Sequence, residues 1–205
     1  MAHSTLHLSV LDQNSPRVYV QVLHIFPFSA TAQREDAALA LENGLQATLA
    51  KFPFLTGTVG PADPETGKLL LTYPTAVPNV RTTRLFASSK ILASEAFPYT
   101  YEHLKSEGMP QSAFTREIFC PRVLVGHPGG PEYAEGVLEC KRAVPALAVE
   151  APFISGGLVL SMYFHHSVCD GSGNNEFGRR FAASVYSQQP GRSPSNDSLH
   201  TLIYH

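Results

Sequence analysis

Leu158–Gly173 reads LVLSMYFHHSVCDGSG, and the reading of this stretch decides the rest. A mostly apolar run ends in two adjacent histidines, and four residues after the second comes an aspartate followed by glycine. Lying behind a Gly156-Gly157 pair, the run predicts a buried strand. The side chains at its end are therefore held on a rigid element, with a glycine-containing bend just beyond. An imidazole in that position can accept a proton near neutral pH. No other site-like constellation stands out in the chain.

Working outward, Ala146–Ile154 and Leu158–His165 flank Ser155-Gly156-Gly157 and predict a hairpin. Ser172–Tyr186 predicts a helix, because Phe177, Phe181 and Val185 recur at i, i+4 and i+8. Arg17–Phe26 is dense in β-branched and aromatic residues. Val18, Val20 and Val22 fall on one face, and Tyr19, Leu23 and Ile25 on the other. That two-sided apolarity predicts a central strand rather than an edge. Thr31 is a candidate N-cap for a helix reaching about Lys51, with Glu35 and Asp36 near its positive end and Leu41, Leu45 and Leu49 as its apolar stripe. Thr56–Val59 and Lys68–Tyr73 predict a hairpin, Val80–Phe86 another strand, and Tyr99–Ser106 a short helix. Leu124–Gly136, with its His-Pro-Gly-Gly-Pro, reads as a loop.

The chain of 205 residues is long enough to bury a substantial core as one domain. Its charged fraction of 16% is low, which fits either a well-packed domain or one with a large face normally covered. A net charge of −2 supplies no broad positive field for nucleic acid or anionic lipid. Cys120, Cys140 and Cys169 are odd in number and lack CxxC spacing, as expected of free thiols in a reducing compartment. Neither a secretory signal nor an apolar run of bilayer length is visible, so a soluble, cytoplasmic protein without membrane contact is the expectation.

His166-Ser-Val-Cys-Asp170-Gly171, preceded by His165 and an aromatic-rich strand, resembles the HxxxDG signature of the BAHD acyltransferases. The closer resemblance is to their fungal, trichothecene-acetyltransferase-like branch. LSVLDQ at Leu8–Gln13, PRVYVQVLHIFPF at Pro16–Phe28 and LAKFPFLTGTV at Leu49–Val59 stand at family-like positions. HxxxDG alone is a weak pattern; four segments in order are fairly specific. The resemblance covers the first half of a typical family member. It implies an α/β (α+β) fold, a mixed β-sheet with packed helices forming one half of a chloramphenicol-acetyltransferase-like two-domain architecture. Residues 1–190 would form the N-terminal domain and 191–205 the start of the interdomain crossover or a C-terminal tail.

The same resemblance implies transfer of an acyl group from acyl-CoA, as co-substrate, to a hydroxyl or amine of a specialised metabolite. No bound cofactor is expected. His166 would be the general base, while Asp170 would turn away and pair with an arginine to hold the loop. Gly171 is read as the residue permitting the bend. His165, Ser167 and Gly173 are candidate lining residues, although strand alternation turns His165 opposite to His166 and favours a structural role for it. Two adjacent rings on opposite faces converge poorly on one ion, so no metal site is expected. Cys169 reads as an inert buried thiol. The implied second half would come from a separate polypeptide or from self-association as a homo-oligomer. Two further readings stand beside acyl transfer: isomerisation, cyclisation or dehydration of a polyketide- or terpenoid-like substrate without acyl-CoA, and a non-catalytic binding module.

Overall fold

A computed structural model describes residues 2–28, 33–63, 65–83, 85–125 and 143–188. Their core is a mixed sheet in the order β2-β8-β7-β5, built from β2 (Tyr19–Pro27), β5 (Phe86–Ile91), β7 (Leu147–Ile154) and β8 (Gly157–His165). β7 and β8 form the expected antiparallel hairpin, and β5 joins β7 in parallel. Every residue of β7 and β8 is buried, because both faces of this sheet are covered. That explains their nearly continuous apolar sequence.

Alternation along β8 divides its side chains between two cores. Leu158, Leu160, Met162 and Phe164 pack with the buried stripes of α2 (Arg34–Leu49) and α6 (Gly171–Ser187). The stripes are the predicted ones: Leu41, Leu45 and Leu49, then Phe177 and Phe181. The proposed cap at Thr31 lies outside the described residues, as do Cys140, most of the 124–136 loop and the tail at 191–205. On the opposite face, Tyr163 packs with a second sheet, and Val159 packs under α4 (Tyr101–Ser106) and α5 (Arg116–Phe119). Ser161 fastens that segment by donating its hydroxyl to the Phe119 carbonyl at 2.6 Å.

The second sheet goes beyond the single sheet expected. It runs β1-β4-β3-β6 and is antiparallel throughout, with β1 at His3–His7, β3 at Thr58–Asp63, β4 at Lys68–Pro74 and β6 at Val144–Pro145. A short helix, α1 (Val10–Asn14), links β1 to β2 through a capping box in which Ser9 and Asp12 bond reciprocally. Two expectations fail. Val80–Phe86 is not one strand: Asn79 accepts the Arg81 N–H on its side chain and the Thr82 N–H on its carbonyl, winding Val80–Thr83 into a helical turn, α3, before β5 begins. Nor is β2 central among the described strands. It pairs with β8 on one side, and among the described residues no strand pairs with it on the other. Two-sided apolarity reports burial of both faces and says nothing of the edges.

Candidate active site

The site begins where β8 stops. The His166 N–H donates to the Val18 carbonyl at 2.9 Å, prolonging the β2–β8 ladder by one residue. The chain then turns through Ser167 and Val168, whose N–H bonds back to the His165 carbonyl at 2.9 Å, and α6 starts at Gly171. Along this turn burial alternates: His165, Ser167 and Cys169 lie inside, His166 is half-buried and Asp170 is exposed.

His165 and Ser167 therefore do not line an open site, since both are fully enclosed. Nδ1 of His165 accepts the Ser167 N–H at 3.3 Å, and its ring stands edge-on to Tyr19 at 5.7 Å between centroids. Burial, helped by the nearby Arg17 and His166, lowers the pKa of His165 to about 4. It is a neutral, structural imidazole. Its companion Tyr19 lies opposite it in the strand register and donates to the Pro145 carbonyl at 2.6 Å. No pattern local to either residue announces that partnership, because the register joins segments far apart in the chain.

His166 differs in its two nitrogens. Nδ1 is enclosed without a hydrogen-bond partner among the described residues, while the ring as a whole remains partly exposed. Nε2 is therefore the nitrogen that an incoming group can reach. An imidazole that accepts a proton at Nε2 carries its own on Nδ1. Ser167 Oγ and Asn174 Oδ1 are likewise enclosed and unpartnered. Asn174 was missed from sequence, although its place on the α6 stripe, three residues before Phe177, made it readable as inward-facing.

Asp170 caps α6: its Oδ1 accepts the Gly173 N–H at 2.7 Å. Among the described residues it has no arginine partner of the kind the resemblance implies. Gly171 has neither a positive φ nor a neighbour within 4 Å of an added Cβ, so the bend does not depend on glycine there. The requirement falls on Gly173, where a Cβ would lie 2.7 Å from Cys169 Sγ. That thiol is packed into the helix–sheet core, and burial pushes its pKa up to about 12. As a thiol it is a poor nucleophile. No cluster of metal-ligating side chains occurs among the described residues.

Comparison with known proteins bears on this geometry. The profile of the trichothecene 3-O-acetyltransferase-like N-terminal domain matches residues 18–184. The chain belongs to that family. Acyltransferase BOA11 of Botryotinia fuckeliana is 27% identical to it over 80% of this chain and 32% of the relative. Trichothecene 3-O-acetyltransferase TRI101 of Fusarium sporotrichioides is 27% identical over 83% of this chain and 35% of the relative. The chain thus spans about a third of these relatives' length. The crystal structure of F. sporotrichioides TRI101 complexed with coenzyme A and T-2 superposes with a TM-score of 0.70 at 21% identity, covering 91% of this chain and 40% of that one. Vinorine synthase shares the fold more distantly, with a TM-score of 0.52 at 15% identity. The expected fold class holds: the chain has the α/β fold of the trichothecene 3-O-acetyltransferase-like N-terminal domain. No described helix is long and apolar enough to cross a membrane.

Proposed function

We propose that the chain provides the general-base half of an acyl-CoA-dependent acyltransferase acting on a small specialised metabolite. The observation carrying this reading is the reachable Nε2 of His166 at the end of a fully buried strand, inside a segment that matches an acetyltransferase family. In the reaction, Nε2 takes the proton of an acceptor hydroxyl as its oxygen attacks the thioester carbonyl. The tetrahedral intermediate then expels the coenzyme A sulfur: the C–O bond has formed, the C–S bond breaks, and the proton passes from His166 to the departing thiolate. Asp170 and Gly173 hold the turn that aims the ring. The relatives are about three times as long as the part they share with this chain, and acyl transfer at His166 also needs a donor surface and exclusion of water around the ring.

The test is thiol release from acetyl-CoA with sesquiterpenoid alcohols as acceptors, with coenzyme A binding measured by calorimetry. Acceptor-dependent release that His166→Ala abolishes supports the reading. Absence of both coenzyme A binding and His166-dependent turnover overturns it. Conversion of the alcohol without acetyl-CoA would replace it with the isomerase, cyclase or dehydratase alternative.

A further inference from the structure

His166 Nδ1 is closed off from solvent and hydrogen-bonded to nothing among the described residues, although the ring as a whole is half-buried. That arrangement is demanding. An imidazole in water prefers to carry its proton on Nε2, and in a protein the tautomer is set by the bond that the other nitrogen makes. A base working through Nε2 therefore needs an acceptor opposite Nδ1. Because the atom is enclosed by this chain itself, that acceptor has to lie inside it.

The packing of α6 on β8 brings one there. Phe164 and His166 share a face, since the His166 N–H extends the alternating ladder by bonding the Val18 carbonyl. α6 returns along that same face, where Phe177 and Phe181 join the core of Met162 and Phe164. The rings of Phe164 and Phe177 meet at 5.3 Å between centroids. From this contact the strand advances two residues, about 6.6 Å, to reach His166. In the same direction the helix steps back three residues, about 4.5 Å, to Asn174 on the same stripe. The two side chains arrive together beneath the mouth of the turn. The Asn174 N–H ties that end of α6 to the turn by donating to the Asp170 carbonyl at 2.8 Å.

Asn174 is only 7% exposed, and its Oδ1 is enclosed and unpartnered. A buried donor without an acceptor thus lies beside a buried acceptor without a donor, and leaving both unbonded is unfavourable. Packing alone would favour an apolar residue on this stripe. Ser167 Oγ is also enclosed and unpartnered, but Ser167 turns to the other side, where its N–H meets His165 Nδ1 at 3.3 Å.

We infer that Asn174 is a positioning residue: its Oδ1 accepts the Nδ1–H of His166 and so holds the tautomer whose Nε2 lone pair faces the incoming hydroxyl. No direct bond joins the two here, so the contact is made by rotation of the amide or across one enclosed water, with Oδ1 the acceptor in either case. The inference rests on the base role proposed for His166, but its test requires no turnover.

Isotope-labelled histidine reports the tautomer through two-bond proton–nitrogen correlations of the free protein at about pH 9, where imidazole is neutral. The His166 signals are those lost in His166→Ala. Wild type should show His166 protonated mainly on Nδ1. Asn174→Ala, and Asn174→Leu as a better filler of the stripe, should move the proton to Nε2. Asn174→Asp keeps an acceptor in place and should retain Nδ1–H, while Ser167→Ala should change nothing. A wild-type His166 protonated on Nε2 overturns the inference, whether or not the variants fold. An unchanged tautomer in a folded Asn174→Ala or Asn174→Leu overturns it too, as does a Ser167→Ala that moves the proton, since another group is then the acceptor. Absence of acyl transfer with this tautomer pattern intact would overturn the base role of His166 and leave the assignment of Asn174 standing.

Discussion

His165 and His166 are consecutive and chemically identical, yet one belongs to the interior of the turn and the other to its mouth. The difference is set by the last step of strand alternation. His165 completes β8, is fully enclosed, and spends Nδ1 on the backbone of Ser167. His166 continues the ladder through its backbone alone and keeps Nε2 available. Residue type does not assign the role at this site; the side of the turn does. Substitution should therefore give crossed outcomes. His166→Ala should lower acyl transfer by about 10²–10⁴-fold, the range for loss of a general base, and leave thermal stability nearly unchanged. His165→Ala opens a hole in a closed interior beside Tyr19 and should cost about 2–3 kcal/mol of stability by denaturant unfolding. Equal stability losses for the two variants would dissolve the distinction.

Acid sharpens the same contrast. A folded-state pKa of about 4 for His165, against 6.5 for the free side chain, means that the unfolded chain binds a proton that the native state refuses. Stability from this residue is thus complete above pH 6.5 and is lost as the pH falls toward 4. The full span amounts to roughly 3 kcal/mol. Glu150 is also buried, and its raised carboxyl pKa acts with the opposite sign. The measurement is accordingly a difference: denaturant midpoints of wild type and His165→Gln across that window. The two curves should diverge as the pH rises, and parallel curves would show that His165 titrates normally.

Gly173 tests the packing beneath the turn. An alanine there sets Cβ against Cys169 Sγ and should cost about 1–3 kcal/mol through overpacking. In a Cys169→Ala background the clash with Sγ disappears, leaving Asp170 Oδ1 at 3.3 Å as the nearest neighbour, and the helix preference of alanine over glycine, up to about 1 kcal/mol, offsets that milder contact. The same substitution should then be neutral or mildly stabilising. A cost that persists in the double variant would place the strain elsewhere.

How far the sequence revealed this arrangement depends on the range of the interaction. The β7–β8 hairpin, the stripes of α2 and α6 and the break at Asp170-Gly171 were legible because spacing and burial are local signals. The inward direction of His165 followed from alternation. By contrast, Tyr19 reaches His165 only through a register spanning nearly the whole described chain, and the place of β2 among the described strands depends on strand order. Neither leaves a periodic trace. Gly171 was read as permitting the bend, whereas the position crowded against a Cβ is Gly173, because that crowding arises from Cys169, whose position is known only once the turn is built. Ser9-Val-Leu-Asp12 was a readable capping box that the strand-like segment after it obscured.

The smallest expected effect separates two roles of Asp170. As the N-cap of α6 it satisfies the Gly173 N–H, and Asp170→Ala should cost about 1 kcal/mol. Asparagine caps nearly as well, so Asp170→Asn should recover most of that stability. The family resemblance implies a further role, an ion pair with an arginine, for which no partner occurs among the described residues. Asparagine removes the charge and keeps the cap, so it isolates that role. If Asp170→Asn matches wild type in both stability and turnover, capping accounts for the residue entirely. If it matches in stability but loses turnover as fully as alanine does, the carboxylate holds a cation outside the described segments, and the mouth of the turn requires that second contact to keep His166 aimed.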